Sequence, residues 1–427
     1  MEVPSRIGTY EPLIRLASGG MASLYVARHA GAGGFERLVV IKRVHSHLLG
    51  NRQFCDMFLD EARISSLIRH SNVVPVIDIA EANGEIFLVL EYVESLSLAQ
   101  LLAAAKAAGE LLSPAVVSRI MSDALAGLHA AHEALDMRGA SMHVVHRDVS
   151  PQNILVDTHG MSSIIDFGIA KAASQLAMTG SGLFKGTFRY MAPEQVKQQP
   201  LDRRADVFSA GVVLYEALTG RGLFRGDDEG DTVLSVLVTE IPDPSSVAPG
   251  VSKPLDAVAR EALERRRDRR FATAARFREA LEAACPPAAT DEVASVVARL
   301  GGGILARRRE ALQLALARSS ARPSTKWLGR RRVAVRLMAL FVAAGLATGV
   351  VFRALQSPPR APQLSAKTST PTVPPGASSP PSDTGALEPP VGAFAQIVAP
   401  PAPRTRLQSA PRNRSIDLHR KNPYASP

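Results

Sequence analysis

The sequence predicts an α+β chain of two lobes, a small one of antiparallel strands with a single helix and a larger, mostly helical one, followed by one membrane-spanning helix and an extended tail. Three observations carry this. Short apolar runs with strand character fall at 10–17 and 38–44, close together near the amino terminus. Apolar segments at helical spacing dominate from Leu96 onward, as in DVFSAGVVLYEALTG at 206–220. A twenty-residue apolar stretch at 333–352 follows the basic run RRR at 330–332, and the chain beyond it is rich in Pro, Ser, Ala and Thr.

Within the small lobe, assigned to 10–94, the run at 10–17 reads as a strand that opens into the glycine-bearing turn of LASGGMASLYVA at 16–27. LVVIKRV at 38–44 has the pattern of a buried strand carrying one charge, Lys42, which is costly to bury unless it is paired. FCDMFLDEARISSLIRH at 54–70 repeats Phe54, Phe58, Ala62 and Ser65 at helical spacing, and EYVES links this lobe to the next. The larger lobe, 95–283, holds the runs ILV at 154–156 and SSII at 162–165, which read as a hairpin. In the helical run at 206–220, Asp206 reads as an N-cap and Gly220 as a C-cap. FATAARFREALEAA, after the basic run RRRDRR at 265–270, closes the unit. Residues from 10 to 283 make one catalytic unit of roughly 270 positions, enough for two lobes with a substantial core.

The chemistry is concentrated in HRDVSPQN at 146–153, IIDFGIA at 164–170 and GTFRYMAPE at 186–194. A turn broken by Pro151 lets Asp148 and Asn153 point into one cleft, and the hairpin delivers Asp166 beside them. Taken in this order and spacing, the three segments resemble the eukaryotic-like Ser/Thr protein kinases, and in particular the membrane-anchored bacterial members of that family.

The resemblance implies a bilobal protein-kinase-like fold with ATP between the lobes, and it implies roles residue by residue. Asp148 would accept or orient the proton of a substrate hydroxyl, while Asn153 and Asp166 would hold magnesium, with manganese as the alternative metal. Lys42 would lie between the nucleotide phosphates and a helix glutamate; Glu61 is the candidate, with Asp60 adjacent as a competing register. Ala17, Ser18, Gly19, Gly20 and Val26 would cover the nucleotide, and the hinge residues Glu91, Tyr92 and Val93 would meet it through their backbone. Arg147 would pair with a phosphate in the segment from Asp166 to Glu194, where Thr179 or Ser181 is the expected switch and Thr187 is structural. Asp206 would brace the catalytic loop, and Arg270 would pair with Glu194.

Two departures bear on activity. The family pattern of three glycines falls on Ala17, Gly19 and Ala22, so only the middle glycine is present, supplemented by Gly20; the loop should be stiffer. Ser/Thr kinases usually carry a lysine two residues after the catalytic aspartate, and here Ser150 stands there. A cation lost beside the transferring phosphate removes transition-state stabilisation, so slow transfer is expected. The alternative is a pseudokinase, a nucleotide-sensing scaffold that recruits partners at the membrane.

Cys55 and Cys285 are the only cysteines, too few for a disulfide framework and consistent with a reducing cytosol. The net charge of +10 is concentrated after the catalytic unit, in RRR at 307–309 and 330–332, so it argues for a membrane surface and against nucleic acid. Residues 284–332 then read as a basic juxtamembrane segment, and 333–352 as a span interrupted by Arg336, which can snorkel to the headgroups. Basic residues on its amino-terminal flank place the catalytic unit in the cytoplasm of a single-pass membrane protein, and MEVPSRIG carries no export signal. Gly345 and Gly349 form a pattern that can join two such helices into a homodimer. The tail, 353–427, has too few large apolar side chains to fold alone and is expected to be disordered. ATP, protein substrates and the lipid bilayer are therefore the expected partners.

Overall fold

The computed structural model describes residues 3–82, 84–167 and 188–320. The small lobe is a five-stranded antiparallel sheet of β1 (Tyr10–Ser18), β2 (Ala22–Ala30), β3 (Glu36–Val44), β4 (Val76–Ala82) and β5 (Glu85–Glu91), in the order β1-β2-β3-β5-β4. Strand periodicity sorts its residues onto two faces. Tyr25, Ala27, Val39, Ile41, Phe87 and Val89 fill one apolar cluster, whereas Val44, Leu88 and Leu90 of the opposite face pack against Phe54, Phe58 and Ala62 of helix α1 (Arg52–Leu67). Lys42 lies on the α1 side of β3, in register with Leu24 on β2 and Leu88 on β5.

The chain crosses to the large lobe through a small sheet of β6 (Ser95–Ser97), β7 (Ile154–Asp157) and β8 (Ser162–Ile164). Helix α2 (Leu98–Ala107) opens with a capping box in which Ser97 and Gln100 bond reciprocally, and α3 (Pro114–His132) starts from the Ser113 N-cap with proline in its first turn. Helix α4 (Arg204–Thr219) is buried almost all round, as its even spread of apolar residues requires, and ends at Gly220 with φ 65°. Its N-cap is Arg203, so Asp206 is not the N-cap that local pattern indicates: it sits in the first turn with its carboxylate committed elsewhere. Helices α5 (Glu229–Val238), α6 (Lys253–Ala262) and α7 (Ala274–Ala284) complete the lobe around a core centred on α3 and α4.

Of the expected basic juxtamembrane segment, 284–332, the structure describes residues up to 320. Thr290–Ser320 forms a 31-residue helix, α8, that packs on the folded unit. The expected span at 333–352 and the tail at 353–427 lie outside the described residues. Among the described residues no helix is long and apolar enough to cross a membrane.

Candidate active site

The hairpin of β7 and β8 sets the large-lobe half of the site. Ile154 pairs with Ile164, and Ile165 donates its N–H to the Asn153 carbonyl at 3.0 Å, so Asn153 and the segment entering Asp166 leave the sheet side by side. Asn153 is fixed by its own amide: Nδ2 donates to the Asp148 carbonyl at 2.8 Å and to Asp148 Oδ2 at 2.5 Å. That commits the nitrogen to the protein and leaves Oδ1 as the atom a hard cation would take. Asp148 and Asn153 are both buried.

The loop before Asp148 is held in an unfavourable conformation. Arg147 has φ 66° and Asp166 has φ 59°, left-handed values that cost a non-glycine residue about 1–2 kcal/mol each. Asp206, fully buried, supplies the restraint: its carboxylate accepts the N–H of His146 at 2.7 Å, the N–H of Arg147 at 2.8 Å and a bond from His132 Nε2 at 2.8 Å. Gln195 Nε2 secures the other side of the same residue by donating to the Arg147 carbonyl at 2.9 Å. Burial alone would raise the Asp206 pKa, but the bonds and charge from His132 and His146 outweigh it and hold the group ionised, below its ordinary value. His146 moves the other way, its pKa lowered by burial against the pull of Asp206 and Asp148, so the ring is neutral. Its Nδ1 accepts the Asp148 N–H at 3.3 Å and its Nε2 lies 3.1 Å from the Ile165 carbonyl, one ring thus bridging the two catalytic segments.

From the small lobe comes Lys42. Its Nζ lies 2.9 Å from Asp166 Oδ1 and 3.5 Å from Glu61 Oε1. Burial disfavours the ammonium, but Asp166, Glu61 and Asp148 more than compensate and raise its pKa, so it stays charged. The competing register is resolved: Asp60 turns outward to Arg63 at 3.1 Å, while Glu61 is buried.

The glycine-bearing turn joins β1 and β2. Ser18 and Ser23 hydroxyls bond at 3.0 Å across its neck, Gly19 donates to the Ala22 carbonyl at 3.0 Å, and His45 Nε2 lies 2.9 Å from the Gly19 carbonyl. A Cβ on Gly19 would meet no atom nearer than the Ala22 carbonyl oxygen at 3.9 Å. Among the described residues, no neighbour would crowd a side chain at Gly19, so its place in the turn rests on backbone freedom alone. Ala17 ends up in β1, exposed, and Gly20 is half-buried in the turn. Val26 is fully buried beneath Leu312 of α8. Leu24, directly across from Lys42 in the ladder, is a residue beside the site that sequence reasoning passed over, although the alternation of β2 carries it.

Of the hinge, Glu91 pairs with Arg37 at 3.0 Å, its N–H donates to the Pro75 carbonyl, and the Val93 carbonyl accepts from Ser95 Oγ at 3.1 Å. Ser150 is buried beside Asp148. Arg147 Nε is buried with no hydrogen-bond partner among the described residues. Thr179, Ser181 and Thr187, the expected acceptors, lie outside those residues. Arg270 and Glu194 form a buried two-pronged pair at 2.6 and 2.8 Å, and Arg270 also donates to the carbonyls of Glu264, Arg204 and Arg265.

A cation from the small lobe joined to a large-lobe carboxylate, beside a buried Asp–Asn pair on a strained loop, is the site of a protein kinase. The chain belongs to that family: the profile described as protein kinase domain matches residues 10–282. Similar proteins include the tyrosine-protein kinase MasK of Myxococcus xanthus, 39% identical over 275 residues, covering 64% of this chain and 43% of that one. The serine/threonine-protein kinase PknH of Mycobacterium tuberculosis is 33% identical over 297 residues, 70% of this chain and 45% of that one. The chain thus matches less than half the length of these relatives. The crystal structure of the Mycobacterium tuberculosis PknI kinase domain shares the fold, with a TM-score of 0.51 at 22% identity, over 67% of this chain and all of that one.

Proposed function

We propose that this chain is an ATP-dependent protein kinase that transfers the γ-phosphoryl group to serine or threonine hydroxyls of proteins, its own activation segment included. The observation that carries the reading is the meeting of Lys42 with Asp166 at 2.9 Å next to the Asp148–Asn153 pair. Phosphoryl transfer asks a protein for position and charge more than for covalent chemistry. The acceptor oxygen bonds to the γ-phosphorus as the bond to the β,γ-bridging oxygen breaks, and Asp148 takes the hydroxyl proton. Asn153 holds the Asp148 carboxylate in place for that step, and Lys42, kept charged by its carboxylate neighbours, neutralises phosphate oxygens.

Asn153 Oδ1 and the Asp166 carboxylate are hard oxygen donors that would hold magnesium or manganese, which would supply charge neutralisation for the phosphates. Asp148 faces no lysine at the Ser150 position, so turnover slower than in kinases that carry one is expected. The buried Nε of Arg147, without a hydrogen-bond partner among the described residues, supports a switch in which a phosphate on Thr179 or Ser181 pairs with it. The apolar stretch 333–352 behind its basic flank supports a single-pass membrane protein with the kinase unit in the cytoplasm; Gly345 and Gly349 extend this to a homodimer.

Labelled ATP, magnesium and a generic basic protein test the reading, with wild type beside Lys42→Met. Transfer by wild type and its loss in the variant are expected. Phosphoamino-acid analysis then decides the hydroxyl class, since relatives carry both names. Label on tyrosine alone would overturn the serine/threonine assignment, and nucleotide binding without transfer would favour the scaffold.

A further inference from the structure

Helix α8 lies beyond residues 10–282 that the family profile matches, yet it touches the large lobe, the hinge side and strands β1 and β2 of the small lobe. Its entry is fixed to the large lobe. Ser118 Oγ donates to the Cys285 carbonyl at 2.6 Å, Arg119 Nε to the Ala288 carbonyl at 2.8 Å, and the Ala288 N–H to the Ala115 carbonyl at 3.0 Å. The first turn then meets the β7–β8 turn so closely that a Cβ on Gly160, φ 81°, would lie 2.0 Å from the Thr290 carbonyl oxygen. Val293, Val297 and Leu305 join the large-lobe core, and Gly301 presses on Leu96, where a Cβ would come within 1.9 Å.

One turn further the helix reaches the hinge. Arg308 donates to the Ser95 carbonyl at 2.7 Å, and Arg309 grips the Glu94 carboxylate with two bonds at 2.5 and 2.9 Å. Beyond the hinge its apolar face changes lobes. Leu312, nearly buried, packs on Leu13 of β1 and Val26 of β2, with Leu16, Leu38, Tyr92 and Leu316 around them. Ser319 Oγ completes the crossing by donating to Glu11 Oε1 at 2.6 Å, and Glu11 also pairs with Arg28 at 2.7 Å. A rigid helix tied to the large lobe at one end, the hinge in its middle and the small lobe at the other restricts the angle between the lobes.

We propose that α8 is a positioning clasp for the nucleotide site: Arg308, Arg309 and Leu312 hold the hinge and the roof strands β1 and β2 in the closed arrangement in which Lys42 meets Asp166, and thereby raise the affinity for ATP. The proposal rests on the kinase reading. Its sign follows from the structure, because the clasp is engaged in the same state in which the lobe-joining pair is formed. The groups that handle the proton and the metal, Asp148 and Asn153, belong to the large lobe and are braced by Asp206, so loosening the clasp acts on nucleotide binding before it acts on chemistry.

The test uses the full chain with Leu312→Ala, Arg309→Glu and the exchange Arg309→Glu with Glu94→Arg. Direct binding of a fluorescent ATP analogue, the KM for ATP, kcat and the melting temperature are measured together. The clasp predicts that the Kd and KM for nucleotide rise about fivefold or more in the two single substitutions, with kcat within about twofold and substantial rescue in the exchange. A melting temperature that falls while nucleotide affinity stays unchanged would make α8 a purely structural buttress. Tighter binding or faster transfer would make it an inhibitory strap; either result overturns the proposal. If wild type binds nucleotide but transfers no phosphate, the kinase reading fails while the binding measurement still decides the clasp, and wild type that binds no nucleotide removes both.

Discussion

Asp206→Asn is the perturbation whose consequence the structure defines most sharply. The carboxylate receives three donors, two on Oδ2 from His146 N and His132 Nε2 and one on Oδ1 from Arg147 N, with no access to water. Asparagine keeps the shape but turns one of these oxygens into a donor. Placed at Oδ2 the NH2 opposes two bonds, and placed at Oδ1 it opposes one, so the second orientation wins and Arg147 N–H is stranded. A stranded buried donor costs about 1–3 kcal/mol, and the remaining bonds weaken with the loss of charge. A total of about 2–3 kcal/mol corresponds to a fall in melting temperature of roughly 4–12 °C for a unit of this size.

The functional effect is larger than the thermal one. Arg147 is held at φ 66° by the bond that is lost, and relaxation there swings Asp148, the next residue. Misplacing a catalytic group by about 1 Å costs on the order of a hundredfold in rate, so kcat should drop at least about tenfold with KM for ATP little changed. Asp256→Asn is the control. That carboxylate is little exposed too and accepts from Ser245 N at 2.8 Å and Ser245 Oγ at 2.6 Å, with Lys253 Nζ at 3.5 Å, far in sequence from the catalytic loop. It should lower the melting temperature and leave kcat alone. Equal kcat losses in the two variants, or normal kcat in a destabilised Asp206→Asn, would refute the bracing argument.

Other expectations follow from buried charge. Arg270→Ala leaves the Glu194 carboxyl buried without its partner and three carbonyls without their donor, a loss of about 3–5 kcal/mol by chemical denaturation, whereas Arg276→Ala, whose pair with Glu279 is exposed, should cost less than about 1 kcal/mol. The neutral His146 makes stability pH-dependent. Its folded pKa lies below the ordinary 6.5, so the unfolded chain binds the extra proton, and stability present at pH 7–8 is lost as pH falls through and below that value. Thermal unfolding should show this slope, and His146→Asn, which keeps a donor and an acceptor but does not titrate, should flatten it.

Local pattern carried much of this site. The apolar strand around a single lysine announced that Lys42 must be paired, and the hairpin runs at 154–156 and 162–165 delivered Asn153 and Asp166 together as the ladder requires. The choice of Glu61 over Asp60 came from the family likeness, and the helix face decides it: one is buried, the other meets solvent. What stayed hidden depends on partners distant in the chain. Asp206 looks like a cap because a cap is a local device, while its real partners lie 59 to 74 residues away. Helix α8 was masked by composition. Three successive glycines, 301–303, weaken its helix signal and RRR at 307–309 reads as a membrane flank, yet Gly301 is small to admit Leu96, and Arg308 and Arg309 bond Ser95 and Glu94.

Transfer from γ-labelled ATP and magnesium by the full chain and by Asp148→Asn, compared at equal nucleotide occupancy, tests the central claim most directly. Convergence of Lys42, Asp148, Asn153 and Asp166 on one nucleotide predicts that both proteins bind ATP and that the variant loses transfer by at least about a hundredfold. Undiminished transfer by Asp148→Asn would contradict it.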